Sequence, residues 1–520
     1  MSPSSRRPIV PAPAGSLAGR EVELKLALDP ADLPRLKQHP LLRAARPSTS
    51  RLQATYFDTS DLRLAERNLT LRVRRNGRRH VQTVKSGSLR QIGLFDREEA
   101  ESTVPRQNPD LGVIDHAALR QAVGGALDDR PLKPIFGTDV RRTKWRLESG
   151  GKVEVEVDLD VGRFKVGQAE APICEIELEL KRGRPRDLIR LARDLGATVP
   201  LRLDVASKAA RGFALYRGDT ETVRWAEAPS LDRDASVSDA VLAILRECLS
   251  HVASNQAAVL DGRDPEGVHQ MRVGLRRLRA ALSLFRRQVD EAAREELAGE
   301  LRWLAGALGP ARDWDVFLEE LLPPVAETGA GDTVLREIER AAGALRETAY
   351  AEARAAIGSS RFLNLMLSAR LWLAEPPWSD EAGLKRKARE VAAELLDHRN
   401  RKARRVAKNA ESMEEAEMHS LRLRLKKLRY AAEFFGSLFA DRKVRAYGKA
   451  VSRPQQSLGY LNDVRTLPAL LEQLALHVDA DAGVKALGAV AGFHAGRVES
   501  LLVEARRDLG AFADARRFWT

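Results

Sequence analysis

Two segments of this 520-residue chain, 150 positions apart, repeat one basic pattern. The first copy contains His269, Arg272, Arg276, Arg277 and Arg279, and the second contains His419, Arg422, Lys426, Lys427 and Arg429. The same offset relates Leu308, Gly309 and Asp313 to Leu458, Gly459 and Asp463. A shared offset over such a length predicts a duplicated structural unit.

Each copy has the period of an amphipathic helix. At 100° per residue, four residues of the first copy lie within about 80° of the helix surface: His269, Arg272, Arg276 and Arg279. Met271, Leu275 and Leu278 form an apolar stripe beside them. A single copy is typical of an ordinary helix with a solvated basic face. Two matching copies favour a groove or pore between helices that binds an anion.

The overall charge is positive, and a positive charge favours anionic partners. The net charge is +13 and the sequence pI is about 9.8, which allows nucleic acid, an anionic membrane or polyphosphate as a partner. Aromatic residues make up only 5% of the chain, and this disfavours single-stranded nucleic acid, which stacks on aromatic side chains. The sequence has neither an apolar signal core nor a run of 18 apolar residues, so we expect a cytoplasmic protein without a membrane partner. Two cysteines, Cys174 and Cys248, cannot form a disulfide framework or a zinc site.

The hydrophobic pattern changes near residues 218–236. Before this point, short segments alternate between apolar and charged residues, as in residues 152–158 and 173–180, and the alternation predicts β-strands. Helical patterns there are limited to residues 30–38, 112–126 and 185–195. After Ser236 the pattern predicts long helices and almost no strand.

The charged strand faces leave two arrangements open. One is an antiparallel sheet with a solvated face, where such alternation is routine. The other is a barrel with the charges inside, which requires pairing or a bound cation and polyanion because buried ions are costly. Carboxylates at alternate positions, such as Glu21 and Glu23, suit Mg²⁺, which prefers oxygen ligands. Arginines such as Arg72 and Arg74 suit phosphate oxygens.

Residues 18–217 resemble the CYTH superfamily of triphosphate tunnel metalloenzymes. The resemblance is carried, in order, by Glu21-x-Glu23-x-Lys25, Tyr56-Phe57-Asp58-Thr59, Leu69-x-Leu71-Arg72-x-Arg74, Thr83-Val84-Lys85, Arg142-x-x-Trp145, Glu156-x-x-x-Asp160-x-Gly162, Glu175-x-Glu177-x-Glu179 and Ser207-Lys208-x-x-Arg211-Gly212. It implies an eight-stranded antiparallel tunnel that hydrolyses triphosphate compounds with Mg²⁺ or Mn²⁺. It also implies that four acids bind the metal: Glu21, Glu23, Glu175 and Glu177. The residues implied to bind substrate or complete the site are Lys25, Arg72, Arg74, Lys85, Arg142, Glu156, Asp160, Lys208 and Arg211.

Residues 236–515 resemble the CHAD domain, the conserved histidine α-helical domain. The resemblance rests on the ten basic residues of the two copies together with Tyr430. It implies two pseudo-symmetric four-helix bundles, at about residues 236–380 and 381–515, whose basic surface binds inorganic polyphosphate. Each histidine lies three residues from an arginine and has no carboxylate partner on its stripe. A role beside phosphate is therefore expected in place of metal chelation.

The sequence thus predicts an α+β protein of two domains. We expect a disordered tail over residues 1–17, a tunnel domain over 18–217, a linker over 218–235 and a helical domain over 236–515. The predicted function is metal-dependent hydrolysis of inorganic triphosphate, with polyphosphate as a second partner, no specific nucleic acid, and a location at polyphosphate granules. The alternatives are a non-catalytic polyphosphate-binding protein, and a nucleotide or thiamine triphosphate hydrolase or adenylate cyclase on the same fold.

Overall fold

A computed structural model describes residues 20–87, 95–219, 223–328, 332–408, 413, 415–479 and 482–520. The predicted tail, residues 1–17, lies outside this range. The chain divides into two compact units, Met1–Asp219 and Thr220–Thr520. The first contains all the described strands of the named sheet, and the second is helical.

Nine antiparallel strands form the sheet of the first unit. They are β1 (Arg20–Leu28), β2 (Ser48–Asp58), β3 (Leu69–Asn76), β4 (Arg79–Ser86), β5 (Phe95–Val104), β6 (Lys133–Ser149), β7 (Val153–Val166), β8 (Ala169–Arg182) and β9 (Leu201–Leu203). Their order is β5-β4-β3-β2-β6-β7-β8-β1-β9, and β5 also pairs with β1. This second pairing closes β1 to β8 into a barrel, which confirms the predicted eight-stranded tunnel. The extra strand β9 pairs with Leu26–Leu28 at the end of β1 that β5 leaves unpaired.

Strand alternation places the apolar side chains outside the barrel and the charged ones inside. On β3, Leu71 and Val73 are fully buried in an external core that includes Leu119 and Val123 of a covering helix. Burying a Leu or Val side chain is worth about 1.5–3 kcal/mol, so the external helices hold the strands in this register. A one-residue slip would move the charged set into that core.

The helices of the first unit flank the barrel. They are α1 (Leu33–Lys37), α2 (Pro40–Arg43), α3 (Arg63–Glu66), α4 (Ala117–Leu127), α5 (Pro185–Gly196) and α6 (Lys208–Arg217), with 3₁₀ turns at Pro30–Asp32 and Leu111–Val113. The predicted segments 30–38, 112–126 and 185–195 correspond to three of these regions. The periodicity did not predict α6, a ten-residue helix capped by Ser207.

An apolar cluster fills one end of the barrel interior. It joins Tyr56, Phe136 and Phe164, which lie on the strand faces that point inward, to Ala209 and Phe213 of α6. Gly212 permits this packing, because an added Cβ would lie 2.1 Å from the Phe136 ring. The interior is therefore closed by apolar side chains where α6 packs.

The second unit consists of long helices that repeat with the predicted offset. They are α7 (Val237–Ser254), α8 (Gln256–Asp261), α9 (Glu266–Leu284), α10 (Glu291–Ala307), α11 (Gly309–Val316), α12 (Pro323–Ala326), α13 (Asp332–Gly358), α14 (Ser360–Ala374), α15 (Glu381–Leu384), α16 (Ala388–Ala407), α17 (Glu415–Phe435), α18 (Asp441–Ala475) and α19 (Ala482–Asp514), with a π turn at Phe317–Leu321 and a 3₁₀ turn at Gly436–Leu438. Helices α10 and α13 begin 150 residues before α18 and α19.

The two copies differ at the repeated Leu-Gly pair. At Leu308 and Gly309 the first copy breaks into α10 and α11, whereas the second continues through Leu458 and Gly459 as the single 35-residue α18. The equivalent four helices of each copy (α7, α9, α10–α11 and α13; α16 to α19) match the predicted pair of four-helix bundles. None of the described helices is both long and apolar enough to span a bilayer.

Candidate functional site

The barrel interior contains a charged cavity of about 310 Å³. Its walls come from one face of each strand, because side chains alternate along a strand. The described charged side chains that line it are Glu23, Lys25, Arg72, Arg74, Lys85, Glu99, Glu101, Arg142, Lys144, Glu156, Asp158, Glu177, Glu179, Lys181 and Lys208. Among the predicted site residues, Asp160, Glu175 and Arg211 are not part of this lining, and the Glu21 side chain is outside the described residues.

One wall, formed by β3, β4 and β5, is rich in guanidinium and ammonium groups. Lys85 Nζ lies 3.1 Å from Glu99, and Arg74 Nη2 lies 3.5 Å from Glu101. Arg72 and Arg74 each bury an Nε that has no hydrogen-bond acceptor among the described residues. Burial and the neighbouring Arg72 lower the pKa of Arg74. Unused buried donors under mutual repulsion favour an anion at this wall.

The opposite wall is a ladder of acids on β7 and β8. Three cross-strand pairs face each other: Glu156 with Glu179, Asp158 with Glu177, and Asp160 with Glu175. Like charges in direct opposition are destabilising in a sheet. These acid pairs therefore require neighbouring cations.

Three basic side chains compensate the pairs that contain Asp158 and Asp160, while Lys144 and Lys181 contact Glu156 and Glu179. Arg142 donates to Asp160 through Nε and Nη2, at 2.7 and 2.6 Å, and to Glu177 at 2.6 Å. It also contacts Asp158 through Nη1. Lys25 Nζ donates to Glu177 at 2.6 Å. Burial raises the pKa of Glu177, but Lys208, Lys25 and Arg142 outweigh it and hold this pKa well below its usual range.

The third cation, Lys208, projects from the first turn of α6 beneath the ladder. Its Nζ lies 2.7 Å from Asp160 and 2.9 Å from Glu177, and it also contacts Glu175. Burial lowers the pKa of Lys208, yet these carboxylates raise it well above the ordinary lysine value. Arg211, one turn further along α6, contacts Glu175 at 3.0 Å. The apolar packing of α6 thus fixes both cations against the acids.

Three of the acids form a possible metal site. Carboxylate oxygens of Asp160, Glu175 and Glu177 all lie within 4.8 Å of one another, and all three residues are buried. Hard oxygen donors of this kind suit Mg²⁺ or Mn²⁺. This cluster differs from the predicted metal set, because Asp160 belongs to it while Glu23 lies across from Glu179 and 3.4 Å from Lys25.

Asp158 presents a further oxygen to the cavity. Its Oδ1 is buried without a hydrogen-bond partner among the described residues. Burial raises the pKa of Asp158 to about 7, and the attraction of Arg142 only partly opposes this. A divalent cation beside this oxygen would stabilise its charged form.

The sequence prediction omitted several cavity residues that its own pattern contained. Asp158 lies between Glu156 and Asp160 on the same face of β7, and Lys144 lies two residues from Arg142. Glu99, Glu101 and Lys181 also line the cavity. The period of two along each strand is the signal that places these residues on the same faces as the predicted ones.

In the helical unit, α9 and α17 contribute to a groove of about 600 Å³, called here the basic groove. Its predicted lining residues are His269, Arg276, Arg277, Arg422, Lys426 and Arg429, and Tyr430 and Trp225 also line it. Burial and the surrounding cations, led by Arg312, lower the pKa of His269 to about 4. His269 is therefore neutral near pH 7, which agrees with a role other than charge pairing.

The remaining predicted residues of the two copies have other surroundings. Arg272 donates to the Ala305 carbonyl, and His419 contacts the Asn462 side chain at 3.1 Å. Arg279 and Lys427 are exposed and do not line the groove. The groove is therefore lined by six of the ten predicted basic residues. One of these six, Arg277, is only 1% exposed and donates to the Glu227 carbonyl.

The first described residues of the second unit form part of the groove wall. The backbone of Arg224 is held by the buried side chains of Asn255 and His251. Next to it, Trp225 is 66% exposed at the groove. The scarcity of aromatic residues disfavours single-stranded nucleic acid as a partner, yet the Trp225 indole is an exposed aromatic ring at this groove.

Two family models match the chain: the CYTH domain over residues 19–213 and the CHAD domain over residues 243–472. An inorganic triphosphatase of Haemophilus influenzae is 34% identical over 206 residues, which are 38% of this chain and 55% of that protein, so the chain spans about half of its length. An uncharacterized protein of Mycobacterium tuberculosis is 27% identical over 428 residues, 76% of this chain and 78% of that protein. The solved CHAD domain from the plant Ricinus communis is 32% identical, with a TM-score of 0.49, and covers 57% of this chain and 99% of that chain.

Proposed function

Because this chain joins a CYTH domain to a CHAD domain, we propose that its barrel hydrolyses inorganic triphosphate to pyrophosphate and phosphate in a metal-dependent reaction. The observation that carries this proposal is the division of one cavity into a basic wall and an acidic wall. A triphosphate chain needs cations along its oxygens, and a divalent metal needs carboxylates. The cavity offers both within about 310 Å³.

The basic wall binds the substrate in this proposal. Arg72, Arg74 and Lys85 donate to phosphate oxygens, and guanidinium groups can do so in a bidentate manner. Their charge offsets the negative charge that the transferred phosphoryl group carries through its loose transition state.

The acidic wall binds the metal in this proposal. Asp160, Glu175 and Glu177 would hold it, and Asp158 would add an oxygen on the cavity side. The metal, Mg²⁺ or Mn²⁺, would neutralise phosphate oxygens and lower the pKa of a bound water. Lys208 and Arg142 lower the pKa of Asp160 and of Glu177 against the effect of burial, and their contacts hold these carboxylates in place.

The closed end of the barrel supports a short substrate. Because the cluster around Phe136 and Phe213 fills the interior at α6, a long polymer has no path past that end. A cavity of this size is at the small end of ligand pockets. Tyr56 is the one aromatic residue among the described residues that line it, which offers little surface for an adenine or thiamine ring.

The basic groove of the helical unit binds inorganic polyphosphate in this proposal. Arg276, Arg422 and Arg429 face a groove of about 600 Å³ with few acids. Closely spaced cations suit a linear polyanion, whose binding releases condensed counterions. Such binding would place the protein at polyphosphate granules in the cytoplasm.

The alternative is a protein in which both units only bind polyanions. Four cavity acids on β7 and β8 weigh against it, since repelling carboxylates weaken a purely anion-binding site.

A pair of matched variants tests the proposal. Glu177→Gln should abolish phosphate release from triphosphate, because a neutral amide is a poor ligand for Mg²⁺. Glu154→Gln is the control, since Glu154 is on the same sheet but outside the cavity. Retained turnover in Glu177→Gln, with folding verified by circular dichroism, would contradict the enzyme assignment and favour the binding protein.

A further inference from the structure

Lys426 differs from the lysines of the barrel in having no acidic partner. In the barrel, Lys25, Lys85, Lys144 and Lys208 each contact a carboxylate. Within the described chain, Lys426 makes neither a salt bridge nor a hydrogen bond. Its half-buried side chain lies in the basic groove.

Its surroundings are mainly cationic on every side. Arg422 and Arg429 come from its own helix α17, and His269 and Arg276 come from α9. The acids of this region are Asp463 on α18, Glu433 on α17 and Glu227 on the connecting segment.

This environment favours the neutral form of the Lys426 amine. Burial, followed by the positive charges of Arg422, Arg276 and Arg429, lowers the pKa of Lys426 to about 7. At neutral pH about half of such an amine is unprotonated, on the order of 10³ times the fraction of an ordinary lysine. Desolvation and neighbouring cations are the established means of making a lysine nucleophilic.

We propose that Lys426 is an acylation site for acyl phosphates, which the guanidinium groups of Arg276, Arg422 and Arg429 position through their phosphate end. The proposal rests on the proposed role of the basic groove as a phosphate site. An acyl phosphate fits because one small molecule carries the anion that the arginines attract and the electrophile that a neutral amine attacks.

The reaction is a simple acyl transfer. The neutral Lys426 nitrogen attacks the acyl carbon, a C–N bond forms, and the C–O bond to phosphate breaks. Inorganic phosphate leaves with the electron pair of that bond, and the amine proton passes to it or to water. The product is an amide at Lys426, which cannot regain the positive charge of lysine. Polyphosphate binding in the groove should therefore weaken when acyl phosphates are abundant.

Acetyl phosphate, with the full-length protein, provides the test. Site occupancy at Lys426 and at the adjacent exposed Lys427 is followed over time by mass spectrometry of a peptide that contains both. We expect Lys426 to react at least ten times faster than Lys427, and long polyphosphate to protect Lys426 selectively. With acetic anhydride, which has no phosphate, the preference should fall several-fold. Equal rates at the two lysines with acetyl phosphate would overturn the proposal.

Two separate measurements on the parent protein, labelling of Lys426 and polyphosphate binding by fluorescence titration, distinguish this proposal from the groove function. Lys426→Arg should lose the label at position 426, which verifies the assignment of the labelled site. If the parent protein binds polyphosphate but Lys426 is not labelled preferentially, the acylation site is wrong and the groove function stands. If polyphosphate neither binds nor protects, the groove function is wrong. If, in addition, Lys426 is preferred equally with acetyl phosphate and with acetic anhydride, the proposal that the arginines position the phosphate end of the reagent is also overturned.

Discussion

Lys208 is the residue whose removal tests the charge balance of the barrel most sharply. Its side chain is 9% exposed, and its Nζ contacts Asp160, Glu175 and Glu177. Lys208→Met keeps the chain length and removes the charge. Because breaking a buried ion pair costs about 3–5 kcal/mol, we expect the barrel to lose free energy of unfolding in this range when no divalent cation is present.

Hydrogen exchange of β7 and β8 peptides in the full-length protein, with EDTA, measures this loss in the barrel itself. Lys144→Met is the control, since Lys144 also contacts ladder acids but its side chain is 38% exposed. We expect a smaller loss there, because solvent screens the charge of Lys144 and because Lys181 also contacts Glu156. Equal losses in the two variants would refute the inference that Lys208 compensates the ladder.

Acid and metal should each reduce the effect of Lys208→Met. Lys208 and Arg142 depress the pKa of Glu177, so its stabilising contribution is present above about pH 4.3 and lost as pH falls through the depressed value. The difference between parent and variant should therefore narrow in acid. Saturating Mn²⁺ should restore more stability to the variant than to the parent, because the cation takes over the missing charge. At a free Mn²⁺ concentration of 100 times Kd, binding adds about 2.7 kcal/mol to the free energy of unfolding.

Three further predictions concern the ligands. Arg72→Ala should weaken transition-state binding of triphosphate by about 1.5–3 kcal/mol, the value of a hydrogen bond to a charged group, measured as the loss in kcat/KM; unchanged kinetics would remove Arg72 from the site. The triple variant with alanine at Arg276, Arg422 and Lys426 should weaken polyphosphate binding and reduce its dependence on salt concentration. Replacing the exposed residues Arg279 and Lys427 by alanine should have a smaller effect. Equal effects of the two variants would show that the basic groove is not the polyphosphate site. Trp225→Ala should leave polyphosphate binding unchanged. It should reduce the ability of single-stranded DNA to displace polyphosphate, because DNA bases stack on aromatic rings. Equal displacement by DNA in parent and variant would show that the indole does not contact bases.

The sequence was sufficient for the fold because its two periods are strong and local. Alternation along segments such as residues 152–158 predicted the strands, and the offset that relates His269 to His419 predicted the helical duplication. Both family resemblances were confirmed by the family models. Alternation alone could not decide whether charged faces point inward, because a solvated sheet has the same pattern. Closure depends on the pairing of β5 with β1, between residues far apart in sequence.

Which predicted residues are accessible in the two sites depends on three-dimensional packing that the sequence does not reveal. Arg276 and Arg277 are neighbours in a basic run and both border the groove, yet Arg276 is half-buried while Arg277 is buried against a backbone carbonyl. Helical phase places the two on adjacent faces, but it does not reveal which face another segment covers. The segment that covers Arg277 contains Glu227 and belongs to the predicted linker, residues 218–235. Likewise, the contact of Lys208 with the acid ladder depends on α6 packing through Gly212.

Phosphate release from four substrates measured side by side tests the central claim most directly. The substrates are inorganic triphosphate, ATP, thiamine triphosphate and long-chain polyphosphate, each with Mg²⁺, with Mn²⁺ and with EDTA. The account predicts the highest kcat/KM for inorganic triphosphate with a divalent metal and no turnover with EDTA. Preferred turnover of ATP or thiamine triphosphate, or full activity in EDTA, would contradict it.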